Sequence, residues 1–285
     1  MKKLRISSTL NLHSYPKDDI LEYIRQGLVF QKNAGFDAAD FPCKIIDFSD
    51  DNWEEKIEKI IEISNDTKMR FEVCHLPFSL KISYHPEELP AFNQKMHNAI
   101  DAAAMLGVDC AVLHPNAVTM DEKDFDRKEQ YDTVMSHLAP FAEHAQKVNL
   151  KLAVENMRLV HKDTPTHRYC QNPDELCEVA DALGIGVCWD FGHANTSGLI
   201  QSEALSYIGK RLKVLHVNDN YGLGDDHLIP FMGKIDWKDA MKGLSDIGYA
   251  GLFNYELHLN NIPKNLREIN GRYIVEVANE LISYL

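Results

Sequence analysis

KLAVENMRLVHKDTPTHRYCQNPDELCEVADALGIGVCWDFGHAN, residues 151–195, is the stretch whose reading decides the fold. It opens on an apolar run, KLAVEN (151–156), that closes on Glu155 and Asn156. A polar loop leads to NPDELCEVADALG (172–184), with Asn172 placed as an N-cap, Pro173 at the first helical position and Gly184 as the stop. A second apolar run, IGVCWD (185–190), again closes on a carboxylate, Asp190. Strand, helix and strand in this order read as a βαβ unit with parallel strands.

Outward from this unit the alternation repeats. Further β-rich runs lie at LRISST (4–9), FDAADF (36–41), RFEVCHL (70–76), CAVLHP (110–115), LKVLHVND (212–219) and GLFNYELH (251–258). The segments between them carry apolar residues at helical spacing. Ile20, Ile24, Leu28 and Gln31 share one face ahead of a stop at Gly35, and Ile57, Ile60 and Ile61 repeat the pattern in 52–64. Asp126 opens a long run to Val148, and Asp236 opens another at Trp237. Eight such units in 285 residues predict an α/β fold, a (β/α)8 TIM barrel formed as a single domain over 1–285. An open doubly wound sheet would want a glycine-rich phosphate loop after the first strand, and SSTLNLHSYP (7–16) has none.

Composition narrows the partners. Thirty Lys+Arg against 43 Asp+Glu leave a net charge of −13, which opposes binding to nucleic acid or to an anionic membrane surface. No apolar run approaches the roughly 20 residues that span a bilayer, and MKKLRISSTLNLHSYP (1–16) lacks an apolar targeting core. The six cysteines (Cys43, Cys74, Cys110, Cys170, Cys177, Cys188) form no CxxC pair, which argues against a zinc–thiolate site or a disulfide framework. A cytoplasmic protein acting on a small molecule is the expectation, with a homo-oligomer left open.

The strand ends carry the chemistry. The third run ends in His75, the fourth in His114, the fifth in Glu155–Asn156 and the sixth in Asp190, with His193 three residues later. The seventh holds His216 and Asn218, and the eighth Glu256 and His258. Ionisable groups directly after apolar strand cores are costly unless paired or coordinated. Period-two alternation places Ala153 with Glu155, Val214 with His216 and Asn254 with Glu256 on one face. If those faces point inward, Glu155, Asp190, His216 and Glu256 converge at the barrel mouth. Any one of them alone reads more simply as a cap or an ion-pair partner, and His97, His137 and His144, inside helices, read as solvated surface residues. Three carboxylates so close would repel one another unless a cation held them. One imidazole and three oxygen ligands suit Mn²⁺, Mg²⁺, Co²⁺ or Zn²⁺.

The strand ends AVEN (153–156), CWDFGHAN (188–195), LHVND (215–219) and YELH (255–258) resemble the xylose-isomerase-like TIM-barrel superfamily of sugar phosphate isomerases and epimerases. The resemblance covers essentially the whole chain. It implies one divalent metal on Glu155, Asp190, His216 and Glu256, and proton exchange next to a sugar carbonyl by catalytic Glu155 and Glu256 through a metal-stabilised enediolate. NDNYGLGDDHLIPFMGKIDW (218–237) resembles the superfamily pattern D-x-H-x-x-P-x-x-G-x-I-D-W at Asp225, His227, Pro230, Gly233 and Trp237. The superfamily also contains the zinc-dependent endonuclease IV, whose three-zinc ligand set would fall on His75, His114, Glu155, Asp190, His193, His216, Asp225, His227 and Glu256. The leading expectation is therefore a metal-dependent isomerase or epimerase of a sugar or sugar phosphate, with His75, His114, His193, Asp225 and His227 as substrate or second-metal contacts. The alternative is a metal-dependent hydrolase or lyase, including a phosphodiesterase with additional zinc. Arg158 and Arg168 stand in the loop after the fifth strand, where they could meet an anionic substrate group. His161 stands where the ketose 3-epimerases carry a substrate-contacting glutamate.

Overall fold

Strands such as β2 (Ala38–Pro42) and β8 (Gly186–Asp190) are buried at every position, which requires packing on both faces. A computed structural model describes residues 4–10, 19–79, 86–259 and 262–285. In it these two strands join β1 (Arg5–Thr9), β3 (Phe71–His75), β4 (Cys110–Leu113), β6 (Leu152–Glu155), β9 (Leu212–His216) and β10 (Leu252–Tyr255). The eight pair in the order β10-β1-β2-β3-β4-β6-β8-β9, and the ladders between them are parallel. The ring closes where Val217 bridges Tyr255: the Val217 N–H donates to the Asn254 carbonyl at 2.8 Å and the Glu256 N–H to the Val217 carbonyl at 3.1 Å. This is the (β/α)8 barrel that the alternation predicts.

The outer layer holds α1 (Ile20–Ala34), α2 (Trp53–Thr67), α3 (Leu89–Leu106), α4 (Arg127–Lys147), α5 (Pro173–Leu183), α6 (Phe191–Thr196), α7 (Gln201–Ile208), α8 (Trp237–Asp246) and α9 (Arg267–Ile282). Their starts follow the caps. Asp19, Asp126 and Asp236 each accept from backbone N–H groups of the first turn, whereas Asn172 stands at its N-cap position without a side-chain bond. Gly35 (φ 104°) and Gly184 (φ 65°) end α1 and α5 in the left-handed region.

Inside the barrel, Val73, Cys110, Val112, Ala153, Cys188 and Val214 form a small apolar plug. Two residues further along each strand, the same face presents His75, His114, Glu155, Asp190 and His216. The plug thus holds the base of the mouth and period two aims the polar residues over it.

Three expectations are corrected. The strands are shorter than the apolar runs: the fourth stops at Leu113, the seventh at His216 and the eighth at Tyr255. Beyond those points polar side chains leave the ladder; Asp219, for one, accepts from the Phe231 and Ile235 N–H groups and from Trp237 Nε1, and so folds the following loop. One helix per strand is also too simple. The short α6 precedes α7, and β5 (Thr119–Asp121) pairs antiparallel with β7 (Thr166–Arg168) outside the barrel. Finally, His97, His137 and His144 are not solvated but half-buried in the seam between α3 and α4. His144 Nε2 lies 2.7 Å from Asp101 Oδ1, His137 Nε2 lies 2.7 Å from Asn116 Nδ2, and the His97 ring meets Phe141 edge-on at 5.6 Å. An imidazole suits a helix seam because its ring packs while its nitrogens reach polar neighbours.

Candidate metal centre and active site

Glu155, Asp190, His216 and Glu256 each place a ligand atom so that all four lie within 4.8 Å of one another. His216 Nδ1 is 3.2 Å from Glu155 Oε2 and 3.1 Å from Glu256 Oε2. Glu155, Asp190 and His216 are fully buried, and the Glu256 side chain is 15% exposed toward the cavity above. Both carboxylate oxygens of Glu155 and both ring nitrogens of His216 are buried with no hydrogen-bond partner among the described residues. Leaving one such atom unpaired costs about 1–3 kcal/mol. A divalent ion between these residues would satisfy those that face it and offset the repulsion of three carboxylates, so the donor set fits one.

Asp190 is fixed from several sides. Its Oδ1 accepts from the His193 N–H at 2.6 Å, which also caps α6, and its Oδ2 accepts from Asn218 Nδ2 at 2.7 Å. Asn156 holds the same residue's backbone, its Oδ1 accepting from the Asp190 N–H at 2.6 Å and its Nδ2 donating to the carbonyl at 3.0 Å. Gly192 must be glycine for this packing, since a Cβ there would stand 1.9 Å from Asn218 Oδ1. Burial raises the Asp190 carboxyl to about 6, and the neighbouring Glu155 and Glu256 add to the rise against the opposing effect of His193. Burial would raise Glu155 too, but His216, at 3.2 Å, holds it down at about 2. Glu256 is likewise held well below the carboxylate range, chiefly by His216, despite its burial.

Two further groups adjoin this centre. His114 Nε2 and His75 Nε2 lie 3.4 and 3.9 Å from Glu155 Oε2, and His75 Nδ1 lies 3.5 Å from Glu256 Oε1. His75, His114 and Glu155 form a second set of ligand atoms within 4.8 Å. Burial lowers His114 to about 3, so the ring is neutral. On the other side, Asp225 Oδ1 sits 3.0 Å from His227 Nε2 and its Oδ2 3.6 Å from His193 Nε2. The opposite nitrogens are tied back: His193 Nδ1 donates to the Asn156 carbonyl at 2.7 Å and His227 Nδ1 to the Glu256 carbonyl at 2.9 Å. Burial would lower both imidazoles, but the surrounding carboxylates, Asp190 and Asp225 foremost, bring His193 up to about 10, and Asp225 with Glu256 brings His227 up to about 9.

A cavity of about 290 Å³ opens above these groups. All the candidate site residues except Asp190 and His216, which lie beneath it, line its wall. Arg158 and Arg168 line it as well, whereas His161 does not and instead places Nε2 3.1 Å from the Thr196 carbonyl. Thr9, Lys44, Phe78 and Met157 also line it and escaped the sequence reading. Thr9 and Met157 were findable, because each continues the inward alternation of its strand, Thr9 from Ser7 and Met157 from Glu155. Lys44 lies in the 3-10 turn Cys43–Ile45 after β2 and Phe78 in the segment after β3, where the strand alternation no longer applies. Cys188 groups with Glu155 and His216 at the floor.

The sequence pattern of the xylose isomerase-like TIM barrel family matches residues 30–272. An uncharacterized protein of Methanocaldococcus jannaschii is 28% identical over 262 residues, 84% of this chain and 85% of that one. An inosose isomerase of Bacillus licheniformis is 24% identical over 196 residues, 67% of this chain and 68% of its own. Among solved structures, a D-tagatose 3-epimerase-like protein superposes with a TM-score of 0.72 at 20% identity, covering 98% of both chains. A D-psicose 3-epimerase superposes with a TM-score of 0.73 at 13% identity, over 98% of this chain and 99% of the other. At such identities the likeness is one of fold.

Proposed function

The chain belongs to the xylose isomerase-like TIM barrel family, and from that premise we propose that it is a divalent-metal-dependent isomerase or epimerase of a sugar or sugar phosphate. The observation that carries this reading is the buried cluster of Glu155, Asp190, His216 and Glu256, with the orphaned oxygens of Glu155 and nitrogens of His216 at its centre. Held by these four residues, Mn²⁺, Mg²⁺, Co²⁺ or Zn²⁺ would supply a fixed positive charge for a carbonyl oxygen and the hydroxyl beside it.

The protein groups do the rest. Glu155 follows the plug on β6 and Glu256 lies just beyond β10, and both carboxylates reach His216 Nδ1, at 3.2 and 3.1 Å. One removes the proton from the carbon next to the carbonyl and the other returns it. His193, its Nδ1 hydrogen engaged by the Asn156 carbonyl, turns Nε2 toward the cavity to meet a substrate hydroxyl. Leu76, Phe78 and Met157 supply the apolar wall that limits water. The six cysteines are buried and form no disulfide, which accords with a reducing, cytoplasmic setting.

Metal analysis of the purified protein, followed by NMR screening of ketoses, aldoses and their phosphates, tests the reading. Glu256→Gln is expected to lower kcat at least about a hundredfold while the folded dichroism spectrum is kept. An unchanged kcat would remove the two-carboxylate transfer.

A second reading, hydrolysis of a phosphoester with additional zinc, is favoured by the ligand set of His75, His114 and Glu155 and by the convergence of His193 and His227 on Asp225. It calls for two or three ions per chain, falling when His114→Ala is made, where the first reading calls for one ion in both. The small cavity and the net charge of −13 favour a small substrate over a polyanionic chain.

A further inference from the structure

We propose that the substrate carries an anionic group, a phosphate or a carboxylate, remote from the reacting carbons, and that Arg168 with Arg158 receives it; this rests on the reading of the site as a sugar isomerase or epimerase. Arg168 ends β7, in the small antiparallel pair outside the barrel, where its register partner is Thr119. It is only 4% exposed, yet it lines the cavity above the carboxylates. Its Nε donates to the Ala117 carbonyl at 2.9 Å, and its Cζ lies 5.9 Å from the centroid of the Phe78 ring. These two contacts fix the plane of the fork. Phe78 in turn stacks on His114 at 4.3 Å, and His114 Nε2 lies 3.4 Å from Glu155 Oε2. The guanidinium is therefore separated from the proton-transferring carboxylate by one phenyl ring and one imidazole, a span that suits the far end of a short sugar chain.

Neutral hydroxyls would be served as well by an amide or a hydroxyl in the cavity wall. A fixed, planar guanidinium matches instead the paired oxygens of a phosphate or carboxylate. Arg158 lines the same cavity, with its Nε 3.8 Å from Asp225 Oδ2, and Lys44 adds a third cation to the lining. The chain's overall negative charge is screened over about 10 Å in ordinary salt, so the field at Arg168 is set by the groups lining the cavity, the cations Arg158 and Lys44 and the carboxylates Glu155, Asp225 and Glu256 among them.

The test is calorimetric titration of the full-length protein with three ligands that have no carbonyl and cannot react: D-glucitol, D-glucitol 6-phosphate and D-gluconate. One of the two anions is expected to bind about thirtyfold or more tighter than glucitol, and the tighter one tells phosphate from carboxylate. In Arg168→Met that ratio should fall to within about threefold of unity, and Arg158→Met should lower it by a smaller factor. A wild-type ratio near unity for both anions, or a ratio unmoved in a folded Arg168→Met, overturns the proposal. Should Arg168→Met not fold, Arg168→Lys, which keeps the charge without the fork, takes its place and is expected to cut the ratio severalfold. Turnover is read separately. Anion preference without turnover of any ketose, aldose or phosphate of either would sink the isomerase or epimerase reading and leave the anion site standing, whereas turnover of neutral sugars with no preference would do the reverse.

Discussion

Asn218 sits 2.7 Å from Asp190 Oδ2 and does not line the cavity, so its contribution passes through the aspartate. Removing it leaves a buried carboxylate held only by the His193 N–H. Asn218→Ala is expected to weaken divalent-metal affinity by about 10–100-fold, read by competition against a fluorescent chelator, and to lower the melting temperature by only a few degrees, the cost of leaving Asp190 Oδ2 unpaired. An affinity equal to that of the parent would mean that Asp190 needs no such support. The residue types at this site were legible in the sequence, because a Glu, Asp or His directly after an apolar strand core is costly without a partner. That Asn156 and Asn218 hold Asp190 was not legible in the sequence, since which atom an amide reaches depends on its rotamer.

At the scale of elements, the seam between α3 and α4 is where local reading failed. Helical periodicity treats His97 and His137 as polar and assigns them to solvent, yet burial lowers both imidazoles below their ordinary value. The sign for stability follows. An imidazole that charges less readily in the folded protein leaves the unfolded chain with more bound protons as pH falls past about 6.5. The folded state therefore loses stability on acidification, and the contribution is fully present only above that range. His137→Gln keeps a polar reach toward Asn116 without a titrating ring. It is expected to flatten the loss of unfolding free energy between pH 7 and pH 5, by less than about 1.4 kcal/mol per pH unit. An identical slope in the variant would show that the seam does not titrate. Caps were read more safely, because Asp19, Asp126 and Asp236 bond within their own first turns and need no tertiary partner.

For the whole molecule, the candidate metal centre joins β6, β8, β9 and the end of β10, the arc on which the barrel closes. An ion bound there favours the folded state by mass action, about 2.7 kcal/mol at a hundred times its dissociation constant. Chelation is therefore expected to lower the melting temperature by about 5 °C, with recovery on adding back Mn²⁺ or Zn²⁺; no shift with any divalent ion would count against the centre. The eightfold alternation and the placing of ionisable residues after apolar cores were determined by the sequence alone, since period-two burial and helix caps are relations between near neighbours in the chain. Tertiary structure alone decided that His216 Nδ1 stands between Glu155 and Glu256, that Arg168 lies against Phe78, and that three helical histidines are interior. Those distances depend on how the ring of strands closes at Val217 and Tyr255 and on how α3 packs against α4, and both join residues far apart in sequence.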